Sequence, residues 1–263
     1  MTLGAGEIGM EEAVRGLAEQ LEPLERLVGL YSASLDQPRL APSGDGRSFR
    51  YGRPDIRHFC LLKAVLALNT LFASFELARK GYIFQVEALL RIVIESTTHI
   101  EFVLDPTTAA QHRAKVDEYI RLYFADYERD PGAPFQKPPI SQRLVNDTIG
   151  KTLDEIASQF EELEGRKPAA RAYSSIFRAF SNFVHGRYPE SVDLYGGTPG
   201  HFHLHGMSGT RKDMEMVETL KPIVGAVSNV FAHMVQGLRL ERFVEADPII
   251  ARWYHGRIGS PHA

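Results

Sequence analysis

The run from His58 to Lys80 constrains this chain more than any other segment, because it is apolar on nearly every face of a helix and stops at Gly81. A helix without a polar side has two stable settings, a protein interior or a bilayer. The span Phe59 to Ala78 is just long enough to cross a membrane, but it carries Lys63, Asn69, Ser74 and Glu76, which are costly in lipid. A bundle interior accommodates the same residues, so the run is read as a central bundle helix with a glycine C-cap. No membrane is expected as a partner.

Most of the remaining chain carries apolar residues at three- and four-residue steps. Ile8, Ala13, Leu17, Leu21, Leu24 and Leu27 predict a one-sided helix over 8–35, with Pro23 as a kink. From Asp36 to Pro54 that pattern stops while prolines and glycines accumulate, which predicts a linker or mobile loop. Tyr82 to Leu104 reads as helix, and Thr107 or Thr108 caps another that runs to about Glu128. Asp130 to Pro139 reads as a loop, and Ser141 to Leu163 as one or two helices broken at Gly150. Pro168 opens a helix that ends at Gly186. Between Arg187 and Thr210 the alternation of His201, Phe202, His203, Leu204 and His205 predicts one strand of a small hairpin. A long helix over Lys212 to Val244, interrupted at Pro222, and a short one after Pro248 complete the chain.

The sum is an all-α multi-helix bundle of seven or eight helices with one small hairpin insertion. Its expected divisions are an N-terminal helical arm (1–35), a linker (36–54), the bundle (55–246, with the hairpin at about 187–210) and a C-terminal short helix and tail (247–263).

Composition restricts the function classes. Of the 263 residues 44% are hydrophobic, enough for a sizeable core, and the formal net charge of -3 gives no global footprint for nucleic acid. Any basic surface must be local. The one cysteine, Cys60, permits neither an internal disulfide nor a paired-cysteine zinc motif. Met1 to Met10 contain no secretory pattern, so a cytoplasmic protein is expected. There is no serine nucleophile elbow and no dinucleotide fingerprint, and Gly196-Gly197-Thr198-Pro199-Gly200 reads as turn material. No cofactor is expected.

One helix has the residues for chemistry. Arg171, Ser175, Arg178, Ser181, Asn182 and His185 fall within about a third of a helical turn, opposite Tyr173, Ile176, Phe177, Phe180, Phe183 and Val184. Solvated faces usually favour Lys and Glu, whereas this one offers guanidinium groups, small hydrogen-bonding side chains and an imidazole. Arg178 and His185 are two helical turns apart, about 10 Å along the axis, with room for a phosphodiester between them. A guanidinium holds phosphate oxygens bidentately, and imidazoles as a class exchange protons near neutral pH.

The stretch Arg178-Ala179-Phe180-Ser181-Asn182-Phe183-Val184-His185 resembles the motif of the HEPN superfamily (higher eukaryotes and prokaryotes nucleotide-binding), an arginine separated from a histidine by four to six residues. Ala88-Leu89-Leu90-Arg91-Ile92-Val93-Ile94-Glu95 together with Ser181-Asn182-Phe183-Val184-His185-Gly186 is similar, more narrowly, to an uncharacterised bacterial family of helical proteins compared with HEPN domains. The resemblance spans His58 to His205. It implies a helical bundle that forms a homodimer with its motif helices facing each other and, in active members, a metal-independent endoribonuclease of toxin or defence type. His185 would then act on the 2′-hydroxyl or the leaving oxygen and Arg178 on the phosphate charge, with Ser181, Asn182 and Arg187 as auxiliary contacts. Active members usually carry a polar residue after the arginine, where this chain has Ala179. The alternative is a non-catalytic homodimeric interaction module whose polar stripe bonds across the interface.

Two further patterns are candidates. Glu87, Arg91 and Glu95 follow four-residue steps that permit ion pairs, a structural ladder unless Arg91 and Glu95 face the motif helix and serve Arg178 or His185. His201, His203 and His205 on one strand face, with His185 or Asp193 nearby, have ligand types suited to zinc and make a metal-dependent hydrolase the third reading.

Overall fold

The computed structural model describes residues 9–43, 46–125, 141, 143–145, 147–149, 169–196, 198–199 and 201–258. The loop predicted over Asp130 to Pro139 and most of the helical stretch predicted over Ser141 to Leu163 lie outside the described residues.

The first predicted helix is two, α1 (Met10–Glu19) and α2 (Glu22–Ala33), because Pro23 sits in the first turn of α2, where its missing N–H is not needed. Both bury their apolar stripes, Val14 and Leu17 on α1 and Leu24, Leu27 and Tyr31 on α2. The predicted linker contains an antiparallel hairpin, β1 (Arg39–Ser43) with β2 (Gly46–Arg50), in which Leu40 faces Phe49 and Pro42 faces Arg47. Each strand of a two-stranded ladder keeps one free edge, so a proline is tolerated there.

The central helix is α3 (Ile56–Arg79), followed by α4 (Ile83–Leu104) and α5 (Pro106–Ala125). Asp55 caps α3, its carboxylate accepting from the N–H groups of Arg57 (3.0 Å) and His58 (3.3 Å). At the other end Gly81 adopts φ +70°, its N–H reaching Ala78 C=O at 2.8 Å while Tyr82 N–H reaches Leu77 C=O at 3.0 Å, a Schellman closure. The expected glycine cap is present. By length and composition α3 could span a bilayer, and over half of its most apolar stretch is buried in the bundle, against α1, α2, α4 and α5 among others.

Five more described helices follow: α6 (Ala169–Val184), α7 (Tyr188–Val192), α8 (Arg211–Leu238), α9 (Glu241–Ala246) and α10 (Pro248–Ile258). The predicted hairpin at about 187–210 is instead α7 and a single bridge between Tyr195 and Phe202, with His203 N–H donating to Leu194 C=O at 2.8 Å. The regular two-stranded sheet lies at 39–50. Helix α8 runs unbroken through the exposed Pro222, because burial of Met216, Leu220, Val224, Val227 and Phe231 offsets a proline cost of about 3 kcal/mol. It ends at Arg239 (φ 55°), short of the predicted Val244.

The result is an all-α bundle with a small β insertion and ten helices among the described residues. The added ones come from the break before Pro23, the short α7 and the turn at Arg239. The helices share one hydrophobic core that includes Leu21 and Leu24 near the N-terminus and Ile250 and Tyr254 near the C-terminus. The 206–208 loop crosses the corner between α3 and α4, where Met207 N–H donates to Gly81 C=O at 2.7 Å. The approach requires glycine on both sides: a Cβ on Gly81 would lie 2.3 Å from Ser208 N, and one on Gly206 2.2 Å from Lys80 O.

Candidate functional site

Helix α6 is seated by its aromatic side. Phe180 is buried, Phe183 meets Phe84 of α4 edge-on at 5.4 Å, and Phe177 lies under the Arg91 guanidinium at 4.8 Å. This seating turns Arg178 and His185 outward, and both are exposed. Neither side chain forms a hydrogen bond or ion pair among the described residues. The side chains of Arg171 and Ser175 lie outside the described residues.

His185 directly follows Val184, the last residue of α6, as its C-cap. Its N–H reaches Ser181 C=O at 3.1 Å, Gly186 then takes φ +54°, and Arg187 N–H returns to Asn182 C=O at 3.1 Å. This second Schellman closure fixes the backbone around the histidine and leaves Arg187, whose side chain is exposed, as the N-cap of α7. Ser181 and Asn182 are half-buried, and Asn182 Nδ2 donates to Glu190 Oε1 at 3.0 Å. The asparagine amide thus braces α7.

The stripe on α4 divides along its length. Arg91 packs beneath the motif helix, with a buried Nε that has no hydrogen-bond partner. Glu95 acts instead on α3 and α5. Burial pushes the Lys63 ammonium down and Glu95 opposes it, while burial and then Glu95 push the Tyr119 hydroxyl up. The ammonium of Lys63 also lies 5.8 Å from the Phe59 ring and 5.3 Å from Tyr123. The four-residue steps do not close into an ion-pair ladder, and Glu95 pairs with neither Arg178 nor His185.

His201 and His203 stand with ring centroids 5.2 Å apart, edge to face, and His205 is in an exposed turn. Among the described residues no group of three or more His, Cys, Asp or Glu side chains converges as a metal site would require. Only Phe202 of the alternating run is in a bridge, so the shared strand face behind the zinc reading does not form.

Beneath the C-terminal end of α6, among α4, α7 and α8, is a cleft of about 110 Å³. Its apolar walls include Ile83, Phe84, Phe183, Leu194 and Met216. Burial pushes the Glu87 carboxyl up to about 7, with Lys212 working against the shift. Burial also works against the charge of Lys212, but Asp193 (3.2 Å) and Glu215 (3.3 Å) outweigh it and hold its pKa above the usual value. Glu190 completes the polar wall, and its Oε2 is buried without a hydrogen-bond partner. Glu87 was visible in sequence as part of the α4 stripe, whereas Lys212 reads only as a basic residue at a helix start.

No family model, no curated protein and no solved structure matches this chain.

Proposed function

We propose that the chain is a HEPN-like RNA-acting protein, active as a homodimer, in which Arg178 and His185 form a metal-independent phosphodiester-cleaving pair. The observation that carries this reading is a guanidinium and an imidazole exposed on one side of a seated helix and its C-cap, seven residues apart and without a hydrogen-bond or ion-pair partner among the described residues. Arg178 neutralises the phosphate as charge develops on its oxygens. One histidine role is to take the proton from the ribose 2′-hydroxyl, whose oxygen attacks phosphorus as the bond to the 5′-oxygen breaks; the other is to protonate that departing oxygen. The products are a 2′,3′-cyclic phosphate and a 5′-hydroxyl, without participation of a metal.

The test is incubation of wild type and His185→Ala with mixed-sequence RNA in chelator, followed by end-group analysis. Cyclic phosphate ends that fall at least about 100-fold in the variant, with its melting temperature unchanged, are expected. Equal cleavage by both proteins overturns the assignment.

A second reading, a non-catalytic homodimeric interaction module, draws on an exposed apolar line. Ile176, Val184, Tyr188, Val192, Tyr195 and Leu204 are all exposed between α6 and the Tyr195–Phe202 bridge. In that case Arg178→Ala and His185→Ala weaken the dimer and neither protein cleaves RNA.

A further inference from the structure

The hairpin of β1 and β2 carries charge and an aromatic ring that the bundle does not use. Between Gln37 and Pro54 the chain has four arginines, Arg39, Arg47, Arg50 and Arg53, against one acidic residue, Asp45, in a protein whose net charge is -3. Arg39, Arg47 and Arg53 are exposed, and none of these three forms an ion pair or a side-chain hydrogen bond among the described residues. On α5 and α8, by contrast, Arg113, Arg121 and Arg211 each meet a carboxylate three or four positions away. The hairpin is therefore a local basic surface of the kind that a net-acidic chain needs in order to hold a polyanion.

The ladder sorts the ribbon by face. Leu40 pairs with Phe49 and Pro42 with Arg47 on one face, and Arg39 pairs with Arg50 on the other. Leu40 is 53% exposed and Phe49 68%, although they lie directly across from each other. The ring of Tyr51, in contrast, lies 4.5 Å from that of His58 on α3 and ties the base of the hairpin to the bundle. No helix packs on either strand as extensively as the strands pack on each other. One face thus presents a bare aromatic ring beside Arg47, which is about 10 Å along the ribbon from the Arg39 and Arg50 end.

Planar guanidinium groups and an exposed ring match a strand of alternating phosphates and unpaired bases. Arginine donates bidentately to phosphate oxygens, and an aromatic ring takes a base on its face. A second copy of this chain does not fit, since a symmetric contact at this ribbon sets its arginines against themselves. A lipid surface does not fit either, because Leu40, Pro42 and Phe49 offer far less apolar area than an interfacial anchor. A duplex keeps its bases stacked and leaves Phe49 without a role.

We infer that the hairpin of β1 and β2 is a binding surface for single-stranded RNA, with a base on Phe49 and phosphates on Arg39, Arg47 and Arg53. The identity of the polyanion rests on the RNA-acting reading above, but binding here requires neither Arg178 nor His185. Recognition is tolerant of sequence, because every base has a face to stack.

Fluorescence anisotropy with a single-stranded RNA of about 12 nucleotides, methylated on every 2′-oxygen, reads binding apart from cleavage, because the attacking hydroxyl is absent. The full-length wild type is expected to bind it, and Phe49→Ser to weaken binding at least about fivefold. Arg39→Gln with Arg47→Gln and Arg53→Gln is expected to weaken binding at least about tenfold at about 50 mM salt, and to make the slope of log affinity against log salt shallower by about two. Arg113→Gln with Arg121→Gln and Arg211→Gln removes the same charge elsewhere and is expected to change affinity by less than about twofold. Absence of wild-type binding overturns the inference, as does an equal loss in the charge-matched control or full affinity in Phe49→Ser. Equal affinity for an RNA duplex or for polyglutamate also overturns it, and so does binding confined to vesicles of phosphatidylcholine and phosphatidylserine. Cleavage by Arg178 and His185 is decided separately, by the end groups of unmethylated RNA.

Discussion

A carboxyl group that keeps its proton to about pH 7, as Glu87 does, makes stability depend on pH with an inverted sign. In the unfolded chain Glu87 ionises around its ordinary 4.5, whereas the folded chain holds the proton until about 7. Between those values the native state binds more protons, so this residue's contribution falls as pH rises and levels off above 7. Asp55 works the other way. Burial opposes its charge, but hydrogen bonds from Arg57 and His58 outweigh that and hold its carboxyl below the usual range. Its contribution is full above that range and is lost as pH falls through the lowered value. Glu87→Gln is expected to stabilise the protein at pH 8 by roughly 1–3 kcal/mol and to change little at pH 4.5, read by urea denaturation. A gain of the same size at both pH values would refute the desolvated carboxyl. The sequence showed Glu87 on a mostly apolar helix, but its low-dielectric setting comes from Phe183 and Met216, contributed by elements far along the chain.

Three helices, α3, α6 and α8, end in the same hydrogen-bond closure with one left-handed residue, namely Gly81, Gly186 and Arg239. The first two ends were legible because glycine announces them, while Arg239 carries no such signal and the predicted helix ran on to Val244. The hairpin at 39–50 was hidden for a related reason, since Pro42 and its neighbouring glycines are loop signals unless the strand has a free edge. The comparison of two glycines separates backbone strain from crowding. Gly186→Ala introduces a left-handed alanine whose Cβ meets only Ser191 Oγ at 3.7 Å, and is expected to cost about 1 kcal/mol. Gly81→Ala has the same strain and also drives a Cβ into the backbone of Ser208, so it is expected to cost more than about 2 kcal/mol. Thermal melts of the two variants check the order. Equal losses would mean that the 206–208 loop yields freely.

At the scale of the whole molecule, half of the large apolar residues exposed among the described ones lie between α6 and the Tyr195–Phe202 bridge. Tyr188 is 81% exposed and Leu204 79% exposed, so changing both to Glu removes little from the core. Multi-angle light scattering is expected to report a dimer for the wild type and a monomer for Tyr188→Glu with Leu204→Glu, with the melting temperature preserved within about 2 °C. A monomeric wild type would sink the homodimer proposal. The all-helical architecture was legible because long amphipathic periodicity survives any tertiary arrangement. Amphipathicity also gave the outward face of Arg178 and His185, but it could not show that Asn182 turns to Glu190 or that the Arg91 guanidinium lies over the Phe177 ring. Those contacts depend on where α4 and α7 are laid against α6. The closure of the bundle also has a temporal side. Helix α2 packs on α9 and α10 as well as on α3, and Arg26 bonds Asp247 at 3.2 Å across 221 positions of sequence. A ribosome adding about 5–20 residues per second leaves roughly 10–45 s between those two residues. The helices made first are therefore among the last to find all their neighbours, and the nascent chain carries Leu24, Leu27 and Tyr31 uncovered on one side until synthesis is nearly over.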